Sequence, residues 1–158
     1  MPIKASSTSP SQHNHTIKGN RKSNMKFTSQ EIETAQRLKE KGLYWQPSVG
    51  HFVWDQVDLM KCESPFHDMV FYILDLKHFL RRSKTIERLQ QDLCWLPTWY
   101  DARQILRHQG VTDAQVQSQL VDSRAIELGS ERLCLYQMIE ATLGPTQVDS
   151  NSQPIAAV

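Results

Sequence analysis

Three histidines flank the segments richest in aromatic and β-branched residues: His51, His67 and His78. His67 is followed by Asp68, which makes half of an acid–base dyad. Asp55, Asp58 and Glu63 lie close by along the chain. Histidine and carboxylate side chains that converge on one pocket can move a proton or hold a metal ion. A site on His51, His67 and Asp68 would make the chain a small metal- or acid/base-dependent enzyme. The spacings do not force that convergence, and solvated loop residues before a buried strand are the simpler reading. His13 and His15 form a His-Asn-His string with no third fixed ligand, so neither a metal nor a cofactor is expected.

Nucleophilic chemistry has weaker support. Cys62, Cys94 and Cys134 are odd in number, widely spaced and without a C-x-x-C pair. They read as buried free thiols in a reducing compartment rather than as zinc ligands or redox centres. Cys94 sits beside Trp95 in an apolar run, where a packed thiol is expected. The chain has no G-x-S-x-G, no G-x-x-x-x-G-K-[ST] and no G-x-G-x-x-G, and only six glycines from which to build a phosphate loop. The residues give an enzyme no positive feature.

Basic residues offer a second chemistry. Residues 1–27 carry Lys4, Lys18, Arg21, Lys22 and Lys26 and no acid; the whole-chain net charge of +1 therefore leaves about −4 on the rest. On a helix, Lys77, Arg81, Lys84 and Arg88 would share one face that could touch phosphates. Without a helix-turn-helix context or aromatic RNA-binding motifs, a solvated face is the favoured reading and nucleic acid an unlikely partner.

All four tryptophans fall in two segments, Gly42–Trp54 and Cys94–Tyr100. Trp45, Trp54, Trp95 and Trp99 are first of all core candidates. Trp45 and Pro47 sit among turn residues, where complete burial is harder. With His51 and Trp99 they form the expected contact surface for a protein partner or a second copy.

The elements that must position these residues can be read in part. Residues 1–26 and 145–158 have the composition of disordered tails, leaving 27–144 as one globular unit. Thr28 and Glu31 form a capping box, with Phe27 and Ile32 as staple, so a first helix runs up to Gly42. Its Glu31, Glu33, Arg37, Lys39 and Glu40 are expected to face water. His51–Asp55 and Phe66–Leu74 read as strands, the second buried on both faces. Asp75 caps a helical run that Ser83-Lys84-Thr85 can split in two. The second of these should end in the apolar run around Cys94. Thr98 and Thr112 cap further helices. Arg124–Leu128 reads as a short strand, and Ser130–Leu143 as the last helix. The sum is an α+β fold, a small antiparallel sheet of two or three strands packed with about five helices. No secretory signal is visible and the longest apolar run, Met69–Leu74, cannot span a bilayer, so a cytoplasmic protein with no membrane partner is expected.

Gly42, Leu43, Trp45, Pro47 and Gly50, then Val70 and Phe71, then Trp95, Leu96 and Pro97, follow one another in an order that resembles a poorly characterised bacterial domain. Some of its members are labelled as related to pilus assembly, a label that does not transfer. The resemblance covers about residues 42–106. It implies a small α+β domain without a known catalytic residue. His51 stands where that pattern has aspartate. Together these features favour a non-catalytic interaction module of a bacterial cytoplasmic protein.

Overall fold

The computed structural model describes residues 26–66 and 69–144. Among these, a three-stranded antiparallel sheet of order β2-β1-β3 lies between two groups of helices. The chain runs α1 (Ser29–Glu40), β1 (Phe52–Asp55), β2 (Val70–Tyr72), α2 (Leu76–Ser83), α3 (Ile86–Asp92), β3 (Leu93–Leu96), α4 (Trp99–His108), α5 (Asp113–Asp122), α6 (Ala125–Leu128) and α7 (Glu131–Thr142). The class is α+β, as the patterning predicts, with seven helices among the described residues, one of them a single turn.

Successive residues of a strand point to opposite faces, and here both faces are covered. Phe52, Val70, Tyr72, Cys94 and Leu96 meet Leu38 of α1, Leu106 of α4 and Leu135, Tyr136 and Ile139 of α7. Val53, Phe71, Leu93 and Trp95 meet Phe79 of α2 and Leu89 of α3. The second strand therefore lacks a polar face, although its hydrogen-bonded stretch is only three residues long.

Local chemistry sets the helix ends. Thr28–Glu31, Thr98–Asp101 and Thr112–Gln115 all form complete capping boxes. Gly42, at φ +84°, ends α1 with Leu43 N–H donating to the Leu38 carbonyl and Gly42 N–H to that of Lys39. This paired arrangement needs a left-handed residue, which glycine supplies without strain. The Tyr136 hydroxyl donates to the carbonyl of Pro97 and ties α7 to the corner between β3 and α4.

Three expectations are corrected. Leu93–Leu96 is a strand instead of the end of a helix, because its residues pair with Phe52–Asp55. Arg124–Leu128 is a helical turn: Arg124 takes a left-handed φ of 54°, its carbonyl accepts from Leu128 N–H, and Gly129 at φ +64° closes it. Glu31 does not face water. It is 5% exposed, and its carboxylate accepts from Arg132 Nε and Nη2 of α7 at 2.8 Å. Arg132 also lies 4.1 Å from the Phe27 ring centre and donates to the Lys26 carbonyl, clamping the first helix to the last.

Removing one partner of this clamp leaves a carboxylate in an apolar setting. Arg132→Ala is expected to lower stability by about 2–3 kcal/mol, less than for a fully enclosed pair because part of Arg132 reaches water. Urea denaturation checks this, and a loss under about 0.5 kcal/mol would contradict the clamp.

Candidate functional site

The turn after α1 carries the first group of expected contact residues, and it folds inward. Trp45 is 7% exposed and Pro47 is buried. Both were expected at a contact surface, and their burial places them in the core. The Trp45 ring lies nearly parallel to that of Trp95, with centres 6.3 Å apart and an interplanar angle of 11°. The Gln90 side chain donates to the Trp45 carbonyl. Packing between the sheet and α3 therefore absorbs this turn.

His51 is held by the same cluster. Trp45 Nε1–H donates to His51 Nδ1 at 2.8 Å. An indole nitrogen only donates, so Nδ1 must be the unprotonated nitrogen. The proton then sits on Nε2, which donates to Ser48 Oγ at 3.1 Å. Ser48 Oγ also lies 3.4 Å from Nδ1, but Trp45 holds that lone pair and Nε2 carries the proton, so this tautomer has no free lone pair for a general base on Ser48. Burial also pushes the His51 pKa down, against a smaller opposing pull from Asp101. The ring is a neutral structural strut.

His67 and Asp68 lie outside the described residues, as do His13 and His15. Asp55 is buried, and its carboxylate accepts from Leu59 N–H and Met60 N–H, both at 2.9 Å. It closes the loop after β1. Asp58 and Glu63 are exposed on that loop. Among the described residues no group of three or more His, Cys, Asp or Glu side chains is placed to hold a metal ion. Burial pushes the Cys94 thiol up to about 12, so it remains protonated and unreactive at neutral pH. Cys134 is buried as well, whereas Cys62 is exposed, contrary to expectation.

The basic stripe is broken. Lys77 and Arg81 lie on α2, but Lys84 caps it with φ +72°, and Thr85 starts α3 afresh by accepting from Arg88 N–H. Ser83 Oγ bridges the carbonyls of Phe79 and Thr85 at that break. Arg88 is paired with Asp92 at 2.8 Å. The four cations therefore do not share one helix face.

Two of the hollows among the described residues are lined by tryptophan. One, of about 280 Å³, lies between the end of α1, α3 and β3, with Lys39, Leu43, Trp45, Gln90 and Trp95 among its walls. Lys39 and Gln90 spend their polar groups on the fold, whereas the Trp95 indole N–H is buried without an acceptor. Lys39 Nζ donates to the carbonyls of Gln91 and Leu93 at 2.6 and 2.9 Å, capping the end of α3. Burial lowers the Lys39 pKa.

The second hollow, of about 170 Å³, lies between α4, α5 and α6 and is walled by Trp99, Arg103, Asp113, Val116, Leu120 and Ile126. Trp99 is the first residue of α4 and stays 48% exposed; Ile126 is 60% exposed. One turn on from Trp99, Arg103 is only 7% exposed. Its guanidinium carbon lies 5.8 Å from the Trp99 ring centre. Nη2 donates to the Asp113 carboxylate, which also accepts from Arg107 Nε and Nη2 at 3.2 and 3.1 Å. Arg103 Nη1 is closed off from water and has no acceptor. Burial first, and Arg107 second, push the Arg103 pKa down.

Of the expected contact residues, Trp99 alone is presented to solvent as a large apolar surface. Arg103 was missed, although a Trp and an Arg at i and i+4 on a capped helix are a recognisable cation–π spacing. Comparisons with protein families, with curated proteins and with solved structures found no match. No helix among the described residues is long and apolar enough to cross a membrane.

The His51 strut carries a sign. Its folded pKa lies below the unfolded value near 6.5, so its contribution is fully present above that value. As pH falls the unfolded chain takes up the proton first, and stability is lost. The urea midpoint of the wild type is expected to drop relative to that of His51→Gln between pH 7.5 and 5. A difference that stays constant over that range would contradict the strut.

Proposed function

We propose that the chain is a non-catalytic protein-interaction module whose contact surface is the Trp99 groove. The observation that carries this reading is a half-exposed tryptophan beside an exposed isoleucine, over a buried arginine. Rigid aromatics and arginine are the residue types that dominate binding energy at protein interfaces. The reading narrows the expected surface to Trp99 and removes Trp45, Pro47 and His51 from it. Buried, unpaired Cys94 and Cys134 suit a reducing compartment, so we place the module in the cytoplasm.

Trp99→Ala should leave the fold intact, since the ring's outer half has no protein neighbour to lose. Affinity purification from the native cell, read by mass spectrometry, is expected to recover a partner with the wild type and lose it with Trp99→Ala. Sedimentation of the two proteins tests a second copy as that partner. Identical associations for both would contradict the reading, as would unfolding of Trp99→Ala seen by circular dichroism.

A further inference from the structure

The groove's chemistry limits what can fill it. Arg103 is more than nine-tenths buried, and among the described residues its Nη1 and the uncharged Trp95 indole N–H are the buried side-chain groups left without a protein acceptor. Buried polar groups are almost always paired, and an unpaired charged donor is costly. Arg132, the arginine drawn into the α1–α7 clamp, shows the ordinary outcome by spending its groups on Glu31 and the Lys26 carbonyl. At the groove, two guanidinium groups share the single carboxylate of Asp113, which leaves one positive charge uncompensated. Arg124, near the groove's far side, is already paired with Glu127 at 2.6 Å.

We propose that the groove between α4, α5 and α6 takes an acidic segment of a partner protein, with an aspartate or glutamate side chain on Arg103 and a neighbouring aliphatic side chain between Trp99 and Ile126. This rests on the groove being the interaction surface. The incoming carboxylate supplies the acceptor that Arg103 Nη1 lacks and neutralises the spare charge. The Trp99 ring centre lies 5.8 Å from the guanidinium carbon and the ring is half exposed; in this proposal the ring swings aside to open Nη1 to the carboxylate. A charge-assisted hydrogen bond formed away from water is strong and directional. The aliphatic neighbour shields it by covering the apolar rim.

The test is an array of randomised hexapeptides, acetylated and amidated so that only side chains carry charge, probed with the full-length protein. Retained peptides are expected to place Asp or Glu beside Leu, Ile, Met or Phe. Changing that acid to its amide should weaken binding about tenfold or more. Arg103→Gln should erase the acid/amide difference, while Trp99→Ala should weaken both peptides alike. If Arg103→Gln does not fold, the wild type still decides: an acidic peptide should shift the Trp99 indole ¹⁵N–¹H resonance at about tenfold lower concentration than its amide counterpart. Retained peptides with no acid preference would overturn the inference and leave the surface reading standing. So would acidic peptides that leave the Trp99 resonance unmoved. If no peptide is retained, the surface reading itself fails.

Discussion

β1 is the strand paired along both edges, and it is four residues long. A sheet this small cannot hold itself together in water and needs cover on its faces. Pairing with β1 draws Leu93–Leu96 straight out of the end of α3, with no loop between them. Pro97 and the Thr98 capping box then turn the chain into α4. That corner decides the fate of two tryptophans four residues apart. Trp95 lies on the sheet face that packs on α3 and stacks on Trp45, whereas Trp99 begins a helix and projects to the surface.

Most polar groups that looked capable of chemistry serve this architecture. Asp55 closes the loop after β1, Glu31 holds the last helix, Lys39 caps α3 and His51 props Trp45. Each has its hydrogen bonds filled by the fold, and a side chain so occupied has nothing left for a substrate. Arg103 is the contrast. It is as buried as Glu31, yet one nitrogen is unanswered, and it sits under the tryptophan that the corner turns outward.

The parts of the fold governed by local chemistry were legible. Three capping boxes, the Gly42 stop and the break at Ser83–Thr85 all depend on neighbouring residues, and the sequence places each correctly. The parts governed by distant pairing were not. Leu93–Leu96 is continuously apolar because helices cover both faces of the sheet, so its pattern does not separate strand from helix. Glu31 reads as a surface acid until Arg132, far along the chain, comes to meet it. The site was legible only in outline. Trp99 was among the named residues, but the burial of Trp45 and Pro47 depends on Trp95 and α3, which sequence spacing does not place. Arg103 becomes notable only when its missing acceptor is seen.

The central claim is that the corner between β3 and α4 sorts the tryptophans, sending Trp95 inward to stack on the buried Trp45 and Trp99 outward. Hydroxyl-radical footprinting read by mass spectrometry measures this on the free protein, one side chain at a time. The account predicts that Trp99 is oxidised fastest of the four and Trp45 far more slowly, in keeping with exposures of 48% and 7%. Equal rates at Trp45 and Trp99, or protection of Trp99 in the free protein, would contradict it.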